Sequence, residues 1–95
     1  MKLVVLGPPN IPVAATYTVD GLTTSHSAAM PATFDFRGRS AEWKVQRLAG
    51  NDEFRVEFYV GDLRRTSTIS AGHSAIKGAI LYENYRERYW AQAVE

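Results

Sequence analysis

Ninety-five residues, 45% hydrophobic and 22% charged, with a formal net charge of +1, describe an ordinary globular chain with room for one core. That charge balance excludes a long-range field steering nucleic acid or an acidic membrane to the protein. The lack of cysteine excludes disulfides, thiolate catalysis and cysteine-ligated zinc.

The chain opens on Met1–Leu6, an apolar run rich in strand formers, expected as a short buried strand. It stops at Gly7-Pro8-Pro9 and is too short for a signal-peptide core, so a single cytoplasmic domain over residues 1–95 is expected, with no membrane contact. Prolines 8, 9 and 12 break regular structure. Val13–Val19 then alternates, with Val13, Ala15, Tyr17 and Val19 on one side. Asp20-Gly21 is a type I′ hairpin signal. The return, Leu22–Ala28, is small and polar; it belongs at a sheet edge or is partly irregular.

Residues 33–60 carry three alternating runs, Thr33–Arg37, Glu42–Leu48 and Glu53–Val60, which predict an antiparallel meander. A four-residue Gly38–Ala41 loop sets Phe36 against Trp43 and Asp35 against Lys44. A type II′ turn at Gly50-Asn51 sets Trp43 against Phe58, Val45 against Val56 and Lys44 against Glu57. This register yields an Asp35–Lys44–Glu57 charge ladder on a wet face and an apolar face that needs a cover. Gly61-Asp62 is a further turn pair, and Leu63–Ile69 is a last strand or an extended connection.

The remainder, about Ser70 to Ala93, reads as a helix with Ser70 as its N-cap. Ala75, Gly78, Ala79, Leu81, Tyr82, Tyr85, Tyr89 and Ala93 form its apolar stripe. Ile76 and Ile80 project away from that stripe and Trp90 borders it. Either the N-terminal hairpin buries the two isoleucines or they form an exposed patch. The expected fold is therefore α+β in two layers: a mostly antiparallel sheet of about five or six strands, with meander 33–60, covered by one long C-terminal helix over about 70–93. In element order this resembles double-stranded-RNA-binding domains. Their last helix starts with a basic run where this chain has Ser70-Ala-Gly-His-Ser-Ala-Ile, so no residue role carries over.

No phosphate-binding loop, dinucleotide fingerprint, nucleophile elbow or H-E-x-x-H motif is present. His26 and His73 are isolated from each other, and Ser70, His73 and Ser74 are too close in sequence to define a nucleophile–base pair. Glu83 and Glu87, four apart, could share one helix face beside Arg86, as solvated surface or a carboxylate pair. No catalytic residue, metal or cofactor is expected.

What remains is a non-enzymatic module that binds and masks another protein, as inhibitors, immunity proteins and phage anti-defence proteins do. Ile76, Ile80, Glu83, Glu87 and Trp90 are its candidate partner-binding residues. A second expectation is nucleic-acid binding through the loop-end arginines Arg39, Arg64 and Arg65. A third is a structural subunit, such as a small virion protein, with homo-oligomer contacts through edge strands.

Overall fold

A computed structural model describes all residues from Met1 to Glu95 and contains no helix. Nine strands form two antiparallel sheets. They are β1 (Lys2–Leu6), β2 (Pro12–Val19), β3 (Leu22–Ala29), β4 (Ala32–Asp35), β5 (Ala41–Arg47), β6 (Arg55–Val60), β7 (Leu63–Ile69), β8 (Ala75–Glu83) and β9 (Arg86–Val94). The four-stranded sheet runs β4-β1-β6-β7 and the five-stranded sheet β3-β2-β5-β8-β9. The α+β fold with a helix over 70–93 is therefore incorrect; the protein is all-β.

Local patterning accounts for the first hairpin. Val13, Ala15 and Tyr17 are buried on one side of β2. Asp20 and Gly21 both take positive φ, 49° and 87°, as a type I′ turn requires. β3 returns as the edge of the five-stranded sheet, paired only with β2. β1 buries Leu3 and Val5 and lies between β4 and β6. Leu63–Ile69 is a strand, joined to β6 through Gly61-Asp62.

The meander over 33–60 is not formed. β4 pairs with β1, β5 with β2 and β8, and β6 with β1 and β7. The apolar faces of β5 and β6 do meet, but across the two layers. The Trp43 and Phe58 rings lie 6.1 Å apart as stacked neighbours from opposite sheets, and Phe36 and Phe58 lie 6.4 Å apart. Gly50 and Asn51 belong to a link from Leu48 to Phe54 that carries the chain from one sheet to the other. Arg47 braces that link, its Nη1 donating to the Asp52 carbonyl at 2.6 Å. Crossing over gives β5 and β6 two hydrogen-bonded neighbours each, while β4 stays at an edge with β1 alone.

The charge ladder goes with the meander. Asp35 lies opposite Lys2, Lys44 opposite Lys77 with its ammonium paired to Glu95, and Glu57 accepts from Arg64 and Tyr59.

The C-terminal third is a hairpin because Ile76, Gly78 and Ile80 repeat at period two and supply the face that closes the core beside β5. Gly78 stands directly opposite Trp43. A Cβ there would sit 2.5 Å from Trp43 Cζ2 and 2.5 Å from the Trp90 carbonyl oxygen, so the indole packs over bare backbone. Ser70 is not a helix cap. Its side chain is fully buried, and its Oγ accepts from the Phe54 N–H at 3.1 Å while its own N–H donates to the Phe54 carbonyl at 2.9 Å. That pair ties the β7–β8 link to the β5–β6 link. One cluster of 16 buried residues, drawn from both sheets, forms the core.

Candidate functional site

β8 and β9 are longer than the sheet that carries them. β5 pairs with β8 from Gln46↔Ala75 to Ala41↔Ile80, and there the third strand ends. β8 and β9 stay paired through Leu81↔Arg88, Tyr82↔Glu87 and Glu83↔Arg86. The end of the hairpin is thus a two-stranded arm. Asn84 and Tyr85 close it, both at positive φ (51° and 63°), in a two-residue turn. Strand alternation gives the arm two faces. Leu81, Glu83, Arg86, Arg88 and Trp90 continue the outer face of the sheet. Tyr82, Glu87 and Tyr89 lie on the core side.

The arm is braced at its root by two arginines. Arg39, from the β4–β5 link, sits 5.6 Å over the Tyr82 ring. Arg65 sits 5.8 Å over the Tyr89 ring and pairs with Glu87 at 2.9 Å. A β-bulge places it there. Phe58 faces Thr66 and Tyr59 faces Arg64, so Arg65 is the extra residue, aimed across the seam toward β9. Two buried atoms on this stretch, Arg65 Nε and Thr66 Oγ1, have no hydrogen-bond partner.

Every exposed tyrosine and tryptophan lies on the arm or at its root: Tyr82 and Tyr85 on the two-stranded part, Tyr85 94% exposed at the tip, and Tyr89 and Trp90 just below it on edge strand β9, opposite Ile80 and Ala79. Arg86 and Arg88 stand among them, exposed. Tyrosine, tryptophan and arginine are the side chains that dominate binding energy at protein interfaces. Trp90 also walls a shallow depression of about 350 Å³ on the outer sheet face, with Thr16, Thr18, Glu42, Lys44 and Lys77 around it. Ala79, a small residue, stands between Glu42 and Trp90 along one cross-strand row of this face.

The residues proposed from sequence divide. Ile76 and Ile80 are core side chains at 0% and 2% exposure and are unavailable to a partner. Glu83 and Glu87 are on the arm, and Trp90 is at its root, opposite Ala79. Glu83 and Glu87 occupy different strands and opposite faces, so they form no carboxylate pair. Arg39, Arg64 and Arg65 do not form a patch. Arg39 and Arg65 are engaged at the arm root, and Arg64 lies on the outer face of the other sheet, its Nη1 2.9 Å from Glu57 Oε2. Tyr85 was missed because a helical period buries it in the stripe; a two-residue turn at Asn84-Tyr85 was the signal available. No three His, Asp or Glu side chains converge in a manner that could hold a metal ion. No helix is long and apolar enough to cross a membrane.

No protein-family model matches the chain, and no curated protein or solved structure matches it at a significant level.

Proposed function

We propose that the chain is a non-catalytic protein-binding module that masks a surface of its partner through the β8–β9 arm. The observation that carries this is the gathering of all four exposed tyrosine and tryptophan rings, with Arg86 and Arg88, on the arm and the adjoining stretch of edge strand β9. Exposed rings cost solvation that a partner surface relieves, and rings on a paired ribbon lose little conformational entropy on docking. We take the cytoplasm as the default setting of the encounter, a chain without cysteine being indifferent to the redox state of its compartment. Nucleic acid is disfavoured as partner because Arg39, Arg64 and Arg65 are each spent on an intramolecular contact.

The test is affinity capture from cells of the source organism with the wild-type chain, Trp90→Ala and Tyr85→Ala. The same polypeptide should be captured by the wild type and lost from both variants, with affinity down roughly tenfold or more and unfolding curves unchanged. Full capture by both variants would remove the arm from consideration. A low-salt gel shift with single- and double-stranded oligonucleotides should show no complex.

A further inference from the structure

Four strands lie at sheet edges: β4 and β7 in one sheet, β3 and β9 in the other. An open edge presents unpaired amides and carbonyls to any compatible strand, and edges that stay single carry devices against pairing. β4 is only four residues long, follows Pro31 and ends on Asp35. β7 carries Arg64, Arg65 and the bulge. β9 carries Arg86, Glu87 and Arg88. β3 has none of these. Its eight residues include no proline, lysine, arginine or carboxylate, and it pairs with β2 in unbroken register from Val19↔Leu22 to Pro12↔Ala29. The opposite sheet leaves this edge open: a cleft of about 310 Å³, lined by residues that include His26 on β3 and Thr33 and Asp35 on β4, separates the two strands.

Hairpin geometry decides which of its groups are free. A two-residue turn makes Val19 and Leu22 a hydrogen-bonded pair, so Thr24 and His26 also turn their backbone groups to β2. Thr23, Ser25 and Ser27 turn theirs outward.

From this we infer that β3 is a self-pairing edge: two copies of the chain join antiparallel through it about a two-fold axis at Ser25, making one sheet of the two five-stranded sheets. The strand is its own complement in that register. Ser25 meets Ser25 of the second copy and Thr23 meets its Ser27, with about six backbone hydrogen bonds at two per bonded pair. These hydroxyls extend rows already begun within the chain, where Thr18 and Thr23 are 2.7 Å apart and Thr16 and Ser25 3.0 Å apart. On the core side Leu22, 76% exposed, meets Ala28 of the second copy, and Thr24 meets its His26. No like charges oppose each other. Shifting the register by two residues one way opposes His26 to itself and leaves Leu22 unmatched; shifting it the other way drops Ser27 from the ladder. β9 is the far edge of the same sheet, so both arms stay free and the pair is bivalent, whatever the arm binds.

Sedimentation equilibrium over a concentration series tests this with the wild type, Ser25→Pro and Ser25→Lys. Proline removes an outward N–H and lysine opposes its own copy across the axis, and neither touches the β2 ladder. The wild type should move from the 10.6 kDa monomer toward the dimer, with both variants weakened roughly tenfold or more. Ser25→Cys, the sole thiol of the chain, should cross-link to its own copy under mild oxidation faster than Ser67→Cys on edge strand β7. If Ser25→Pro fails to fold, the lysine and cysteine variants decide the matter. A wild type still monomeric at about 1 mM overturns self-pairing, as does a dimer that both variants leave intact. A monomer whose edge is filled by an extended segment of another protein overturns it too.

Discussion

Along β8, Ala75–Ile80 is buried apart from half-buried Lys77, whereas Leu81, Tyr82 and Glu83 are exposed, although the strand and its pairing to β9 run through both parts. What changes between them is the company. Up to Ile80 the hairpin has a third strand beside it and the other sheet's core beneath it; beyond Ile80 it has neither. Backbone pairing fixes the path of a ribbon but does not remove its side chains from water. The two parts therefore hold apolar residues for different reasons. Ile76 and Ile80 stabilise the fold, while Leu81 and Tyr85 add little to it.

Breaking the buried part should cost most. Ile76→Ala removes a fully buried side chain and is expected to destabilise by roughly 2–5 kcal/mol, while Leu81→Ala, five positions on, should stay within about 0.5 kcal/mol. Denaturant titration of the two variants checks the contrast, and similar losses would mean that the arm is packed against something. Gly78→Ala comes next. The added Cβ meets Trp43 Cζ2 and the Trp90 carbonyl, each at 2.5 Å, and a carbonyl cannot swing aside as a side chain can. A loss of about 1–3 kcal/mol is expected from the strain. A silent Gly78→Ala would show that β9 can move off β8 at this point.

The contrast within β8 also explains what the sequence revealed and what it hid. The Asp20-Gly21 hairpin was legible because the turn chemistry is specific and β2 alternates cleanly. β3 was legible as an edge because it has little to bury. β5 and β6 were legible as strands, but not as members of opposite sheets. An apolar face asks for a cover without saying whether that cover is a neighbouring strand or another layer, so Trp43 and Phe58 could be set together for the wrong reason. The helix over 70–93 arose from small residues. Ala75, Gly78 and Ala79 fall on one side of a helix, whereas in the strand Ala75 and Ala79 lie on the opposite face from Gly78, and Tyr85 is an uncommon residue at positive φ, which hid the turn. Ile76 and Ile80, standing off the proposed stripe, were the sign that the period was two. Of the candidate site, Glu83 and Glu87 fell on the arm and Trp90 at its root, and the two isoleucines had to be given up to the core.

The seam that anchors the arm offers a smaller effect of opposite sign. Thr66 lies beside the bulge, with its Oγ1 buried and unpartnered. Thr66→Val keeps the shape and β-branching and removes a buried hydroxyl that has no partner within the protein. A gain of about 1 kcal/mol is expected, read as a higher denaturation midpoint at constant slope. A loss instead would reveal an ordered water bonded to that oxygen. Binding to a partner should be unaffected, because Thr66 faces the core of the sandwich and not the exposed rings.

Tyr85 sets stability and binding against each other at one residue. Its φ of 63° is a conformation that a side chain disfavours by about 1–2 kcal/mol, and its ring is 94% exposed, so nothing in the fold repays that cost. Tyr85→Gly relieves the strain, while the freer unfolded chain takes back about 0.4–1 kcal/mol, leaving a gain of roughly 0.5 kcal/mol. If the ring is a binding anchor, the same change should weaken partner capture by tenfold or more, as strain held at a functional site predicts. Stability rising while binding falls would separate the arm's purpose from its folding. Binding that survives Tyr85→Gly but not Trp90→Ala would move the contact from the tip to the outer face, where Trp90 walls the depression beside Lys77.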